Sequence, residues 1–528
     1  MTAIVSSLLP LHPDLHITFF LHASFADLVE AEIARYRLRR DDRARLHCVH
    51  FGDQARSHLS PPQNVPKLAE ETVENAKTNY PRLLKGEAIV DSVTKEDSPS
   101  FEMKPSTVVF DYVVTAAMPQ LLSEIENAAG HGRSKYLSCT PMGPAYSDCF
   151  IFDRVDQPVV RHVHEDMENG LELREAVNKH IHDNDKIVHF SGCAPMYVYE
   201  MIGNIDPVTF EIMVRRTKDF RKVVPEVDGF IYYTSAYLGR DSLLALKASD
   251  KPEYLVGPVP PPGQEVVPGD KSPILAFLDG EPARSVAYIS FGSLFFSPDE
   301  SQVKVLIEVL AKRSGKTILV SGNCSPEMRS LISRSIEAQP EGTNKIRVET
   351  WVDQQAILGH PATNWFLTHA GQGAISEGIS AGVPMIFWPS GVDQPFIANQ
   401  LSQTEKVGIE LIQIRRTVAI GKPTYRGPTV QGTDEAIGAE LEEAFRRMDG
   451  PEREEFQTQV DRVRAEFEKD RAEGGKGWKA LMEMQFKLSV VMGLPNRVKR
   501  SVTVHFIPTH YLEKELRRGY MSNASSAM

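Results

Sequence analysis

Residues Trp351–Gln394 read WVDQQAILGHPATNWFLTHAGQGAISEGISAGVPMIFWPSGVDQ. Phe366–Thr368 ends an apolar run that reads as a strand, and His369–Gly373 turns the chain into a helix over Ala374–Ser380. Glycines at a strand-to-helix turn let a ligand approach the backbone. The helix start then offers N–H groups at the positive end of the macrodipole. Such a turn suits a small phosphate group, with His369 at its lip as a hydrogen-bond donor. Glu377 is expected in the first turn of that helix, where a carboxylate competes with phosphate, so a sugar cis-diol is the better partner for its two oxygens. Val383–Pro389 is a second buried strand that stops at a proline. Asp393 and Gln394 follow in its loop and offer an acceptor and a donor to sugar hydroxyls. Trp351, past a strand end, either stacks on a base or closes a core edge. Each feature alone has a plainer reading: turn glycines, a dipole-complementing Glu, a capping Asp beside a surface Gln. Their conjunction in one stretch carries the argument.

The same strand–helix rhythm extends outward. Leu15–Leu21, Thr107–Val114, Gly229–Thr234, Ser285–Phe291, Thr317–Ser321, Lys345–Thr350 and Pro384–Trp388 are strand-like. Ala26–Arg37, Met118–Ala129 and Pro298–Arg313 have helical spacing. Strands alternating with helices over both halves predict an α/β chain of two parallel-sheet domains. Gly257–Asp270 (GPVPPPGQEVVPGD) reads as a linker, because proline disfavours helix and central strand alike. The boundaries expected are 1–250, a linker at 251–272, a second domain at 273–475, and a helix and tail at 476–528 that return towards the first domain.

Composition narrows the function classes. With 59 Lys+Arg against 70 Asp+Glu, the net charge of −11 argues against sequence-independent nucleic-acid binding, which needs a basic face. Five scattered cysteines (Cys48, Cys139, Cys149, Cys193, Cys324) without CxxC spacing read as reduced thiols, not a zinc site. No run approaches the ~18 apolar residues of a membrane span. Met1–Pro10 lacks the basic start of a signal peptide, so a cytoplasmic protein is expected. His162/His164 and His180/His182 have the spacing of metal ligands on a strand, but read better as solvated loop histidines.

Trp351, Gln354, Leu358, His360, Phe366, His369, Gly371, Glu377, Gly382, Pro384, Pro389, Asp393 and Gln394 together resemble, without an insertion, the signature box of the UDP-dependent family-1 glycosyltransferases. Val286–Ser293 and Tyr254–Pro260 are similar to other parts of that family. The resemblance implies a GT-B architecture, two Rossmann-like domains facing across a cleft. It implies an inverting transfer of a hexose, glucose, from a UDP-sugar to a hydroxyl of a small lipophilic acceptor, without metal or other cofactor. In that family the residue at Trp351 stacks on uracil, Gln354 contacts uridine and Glu377 takes the ribose hydroxyls. Ser293, His369 and the backbone around Gly371 and Gly373 hold the diphosphate, and Gln372, Asp393 and Gln394 lie at the sugar. Gln372–Ala374 replaces a Trp-Asn-Ser common in plant members, which leaves backbone amides to serve the phosphates.

The front of the chain departs from the family pattern. Inverting members use a histidine in the loop after their first strand as base, and Asp111 matches the Asp that orients it. Leu11–Phe20 is similar to the family's second strand, so the first strand and its histidine loop are expected to be missing; His12, His16 and His22 do not match that position. The alternative reading is therefore a nucleotide-sugar-binding protein, or a truncated chain, without its general base. A sugar-nucleotide epimerase is a weaker third.

Overall fold

The computed structural model describes residues 2–52, 65–98, 104–111, 116–140, 142–152, 158–240, 251–258, 272–292, 298–322, 324–340, 345–484 and 500–506. The amino-terminal half supplies α1 (Thr2–Leu11), β1 (Leu15–His22), α2 (Ala26–Arg35), β2 (Leu46–Phe51), β3 (Thr107–Asp111), β4 (Lys135–Thr140), β5 (Gly229–Tyr232) and β6 (Glu253–Leu255). The second half supplies β7 (Val286–Ser290), β8 (Lys316–Val320), β9 (Ile346–Glu349), α3 (Gln354–Leu358), β10 (Thr363–Thr368), α4 (Gln372–Ala381), β11 (Met385–Phe387), α5 (Gln394–Asn399) and β12 (Gly408–Glu410). After α6 (Lys476–Glu483) comes β13 (Arg500–Phe506).

The strands form a seven-stranded sheet, ordered β6-β5-β4-β3-β13-β1-β2, and a six-stranded sheet, ordered β9-β8-β7-β10-β11-β12. Every pairing within them is parallel. A parallel sheet is covered on both faces, so its strands are apolar on both. In β1, LHITFFLH, Ile17, Phe19 and Leu21 pack with Ile4, Val5, Leu8 and Leu9 of α1. Phe20 points into the opposite layer with Phe110 and Tyr232. In β7, Ala287 and Ile289 serve one core while Val286 and Tyr288 serve the other. Each sheet also reverses the direction in which strands are added, between β7 and β10 in the second sheet and between β1 and β3 in the first. Open parallel sheets take ligands at the carboxyl ends of strands at such a reversal.

Arg500–Phe506, in the tail expected to return towards the first domain, lies between β1 and β3, paired with β1 through Leu15↔Arg500 to Leu21↔Phe506 and with β3 through Thr107↔Val502 to Phe110↔His505. Two expectations are corrected. The linker does not begin at 251: Glu253–Leu255 is the edge strand of the first sheet, in register with Phe230–Tyr232, and residues 259–271 lie outside the described part. The histidine pairs are not loop residues. His162 and His164 lie on the helix Val160–Glu168, and His180 and His182 on the π-helical turn Asn178–His182. His162 is exposed beside Glu165, but His164 is buried with Nε2 2.8 Å from the Val214 carbonyl. His182 is buried and its pKa is pushed down to about 4 by loss of solvation.

The stretch after β4, which has no clear sequence pattern, is a helical unit with its own core of Phe150, Val160, Val163 and Phe210. Phe396 of α5 closes that core, which ties the unit to the second half.

Candidate active site

The carboxyl ends of β7 and β10 converge at the reversal of the second sheet. β10 ends at Thr368, Ala370 adopts φ +65°, and α4 starts behind Gly371. A left-handed alanine costs on the order of 1 kcal/mol, strain of the kind found where a turn serves a ligand. The N-cap, Gly371, brings no capping side chain, and the first carbonyl bond runs from Ile375 N to Gly371 O at 3.0 Å. The amides of Gln372, Gly373 and Ala374 therefore have no partner within the helix. A Cβ at Gly373 would meet nothing within 4 Å, so the mouth of the helix is open there.

His369 is buried between two glycines, one from each strand end. A Cβ on Gly292, which has φ +86°, would stand 2.6 Å from the His369 Cε1, and one on Gly371 would collide with its Nε2. The imidazole thus has its place only because both positions lack a side chain. Gly292→Ala is expected to displace the ring and to lower stability by at least about 1 kcal/mol, the left-handed strain alone. Denaturant titration checks this, and an unchanged midpoint contradicts it.

Glu377 is the sixth residue of α4 and lies in its second turn, not the first as expected, because the helix begins at Gln372. That register points it sideways to α3. Its Oε2 accepts from Gln354 Nε2 at 2.6 Å and its Oε1 from Gln355 Nε2 at 3.1 Å. Tyr288 of β7 donates to Gln354 Oε1 at 3.1 Å. By accessible surface Glu377 is only half-buried, yet the atoms packed around it raise its pKa, against the lowering effect of the two glutamines. Across the cleft, Arg35 at the end of α2 donates to Gln355 Oε1 at 2.7 Å. Trp351 stands just beyond β9 with 53% of its surface exposed, which excludes the core-edge reading.

A second polar corner lies at the start of α5. Asp393 and Gln394 are both buried, not a cap beside a surface residue. Asp393 makes no side-chain capping bond; its Oδ2 accepts from Gly143 N at 3.0 Å, across from the loop after β4. Burial pushes its pKa up to about 6, with the amide bonds of Gly143 and of its own backbone opposing. Gln394 Oε1 accepts from Ser390 N at 2.7 Å and Gly391 N at 3.2 Å. Gln372 is buried nearby, with its Oε1 3.8 Å from where a Gly143 Cβ would stand.

Of the residues the sequence singled out, Gln354 is bonded to Glu377, His369 packs against Gly371, and Gln372 and Asp393 both approach Gly143, while Gly373 stands at the open start of α4, Gln394 follows Asp393 and Trp351 is exposed beyond β9. Ser293 lies outside the described residues. Asp111 is buried at the last position of β3, on the opposite sheet. Sequence reasoning missed Tyr288, which reads as an ordinary core aromatic, and Gly143, Arg35 and Gln355, which reach the site only through the closure of the two halves. Among the described residues no group of three or more His, Cys, Asp or Glu side chains is arranged to hold a metal ion. No described helix is long and apolar enough to cross a membrane.

Residues 270–415 match the model of the family described as UDP-glucoronosyl and UDP-glucosyl transferase. The UDP-glycosyltransferase eriJ of Hericium erinaceus is 27% identical over 327 residues, 58% of this chain and 63% of that protein. Mogroside I-A1 synthase of Siraitia grosvenorii is 35% identical over 143 residues, 26% of either chain. The chain thus spans less than two thirds of either relative's length. Medicago truncatula UGT71G1, solved with UDP-glucose, aligns at TM-score 0.61 and 16% identity over 92% of this chain and 94% of that one. A Siraitia grosvenorii UGT solved with UDP aligns at TM-score 0.60 and 16% identity over 89% and 98%. At that identity the two structures share the fold, a GT-B pair of Rossmann-like domains. The domain that holds this crevice is thus similar to the UDP-glucuronosyl and UDP-glucosyl transferases over residues 270–415.

Proposed function

We propose that the chain transfers a hexose, glucose, from a UDP-sugar to a hydroxyl of a small lipophilic acceptor, inverting the anomeric carbon. The observation that carries this reading is the uncapped mouth of α4 at the sheet reversal, with His369 wedged between Gly292 and Gly371. Trp351 stacks on uracil, Gln354 meets the uridine and Glu377 takes the ribose hydroxyls. His369, Ser293 and the backbone at Gly371 and Gly373 hold the diphosphate. Asp393, Gln394 and Gln372 hold the hexose.

The acceptor oxygen attacks the anomeric carbon from the face opposite UDP. The new glycosidic bond forms as the bond to the β-phosphate oxygen breaks, and UDP leaves with the electron pair. Charge grows on the diphosphate, where fixed amide donors and the helix terminus stabilise it most. The histidine that takes the acceptor's proton in that family is unmatched in this sequence, and Asp111, at the end of β3, is the carboxylate that would orient it. This reading includes no metal and no cofactor besides the sugar nucleotide, and places the protein in the cytoplasm, where its five free cysteines stay reduced.

One observation favours the second reading, a nucleotide-sugar-binding protein of impaired turnover. His22 closes β1 at the carboxyl edge of the first sheet, but its Nδ1 lies 2.7 Å from Ser24 Oγ and its Nε2 2.6 Å from Glu71 Oε2. Both ring nitrogens are thus engaged away from an acceptor. Loss of a general base lowers the rate by about 10²–10⁴. Incubation with UDP-glucose and a panel of phenols separates the two. Acceptor-dependent UDP release with a hexose-bearing product of inverted configuration is expected; tight UDP binding without release selects the second reading.

A further inference from the structure

The loop between β11 and α5 is held from the opposite half. Ser390 N and Gly391 N both donate to Gln394 Oε1, at 2.7 and 3.2 Å. The end of a side-chain amide that receives two N–H donors is its oxygen, so Gln394 keeps only its Nε2 donors for a ligand. The second of those bonds comes from the Ser390–Gly391 peptide, and the carbonyl of that same peptide accepts from Asn204 N at 2.5 Å. The peptide is trans, a rigid plane with C=O and N–H on opposite sides. A donor that fixes the carbonyl therefore aims the N–H.

Asn204 belongs to the helical unit of the first half, in the turn between Val198–Ile202 and the helix Pro207–Val223. The turn fits the loop closely. Gly203 has φ +66°, and a Cβ there would stand 2.7 Å from the Ser390 carbonyl oxygen. A Cβ on Gly391 would overlap the buried Ile205, 1.9 Å from its Cγ1. Both approaches depend on glycine. The turn is in turn tied to the segment behind β12: Asn204 Oδ1 accepts from Arg416 N at 2.8 Å, and the Gly203 carbonyl accepts from Thr417 Oγ1 at 3.2 Å.

We propose that Gly203–Ile205 is a positioning element for the donor sugar. It aims the Ser390–Gly391 peptide, the peptide orients Gln394, and Gln394 beside Asp393 sets the pattern of donors and acceptors that a hexose meets. The proposal rests on the reading of this corner as the sugar site. Asp393 accepts there and Gln394 donates, a pairing that sugar hydroxyls satisfy. UDP without its sugar uses neither, so the turn acts on the sugar and not on the nucleotide.

Calorimetric titrations of the full chain with UDP and with UDP-glucose test this. Gly203→Ala is expected to weaken UDP-glucose binding about tenfold, the contribution of one well-placed hydrogen bond, and to leave UDP binding within twofold. Asn204→Ala, a milder change that loses the bond to Arg416 N, shifts the two ligands in the same sense. Asn204→Asp keeps an acceptor at that place and restores UDP-glucose binding. Gly203→Ala combined with Gln394→Ala should bind UDP-glucose no more weakly than Gln394→Ala alone, because both changes remove one interaction. Additive losses, equal losses for UDP and UDP-glucose, or an unchanged UDP-glucose affinity each overturn the proposal and leave the transferase reading standing. A wild-type chain without affinity for UDP overturns that reading, and this proposal with it.

Discussion

Glu377→Ala is expected to weaken UDP binding about 100-fold. The two Glu377 oxygens accept from Gln354 and Gln355 at 2.6 and 3.1 Å, a posture that holds the carboxylate beside α3. In the proposed site it accepts from both ribose hydroxyls. Hydrogen bonds to a charged group contribute about 1.5–3 kcal/mol each, so losing the pair, offset in part by solvent, costs about 3 kcal/mol. Calorimetric titration with UDP measures the change, and Glu377→Gln separates charge from shape. A loss smaller than threefold for the alanine variant would remove Glu377 from the nucleotide site. If binding falls while the melting temperature of the unliganded protein holds, the effect belongs to the ligand and not to the α3–α4 contact.

Asp393→Asn should act on stability and turnover in opposite directions. Burial raises the Asp393 pKa to about 6, so the folded protein holds this proton more tightly than the unfolded chain does. The stabilisation that goes with it is complete below the unfolded value near 3.9 and is lost as pH rises through about 6. Above pH 7 the buried charge therefore costs about 3 kcal/mol relative to a solvated carboxylate. The asparagine variant lacks that cost, so it should be the more stable protein at pH 8 and lose its advantage near pH 4. Denaturant titrations of both proteins at the two pH values measure this; equal differences at the two values contradict the buried charge. If the same carboxylate holds a sugar hydroxyl, turnover of the variant falls by about 10- to 100-fold. A protein keeps a costly buried carboxylate where its charge is used.

The second half was legible because its strands are apolar on both faces and its turns are marked by Gly and Pro. β7, β8, β10 and β11 fall inside the predicted runs or shift by a few residues, and of the box residues Gln354 and Glu377 meet between α3 and α4. Glu377 was misplaced by one turn because nothing in Gly371–Ala374 marks where a glycine-capped helix begins. Two other features left no local signal. Gly143 and Arg35 reach the site only when the halves close, and each has ordinary neighbours in sequence. The pairing of β13 with β1 is a contact between opposite ends of the chain, so the missing front strand could be inferred but not what replaces it.

That pairing bears on how the protein is made. On the ribosome the second half can close on itself once β12 and its covering helices have emerged, since every strand of its sheet is then in hand. The first half cannot, although it is synthesised earlier: the strand at its middle is translated after all the others. Domains usually mature in the order of synthesis. Here the order is inverted, and until β13 has emerged the nascent amino-terminal half has two bare flanks, a natural substrate for chaperones.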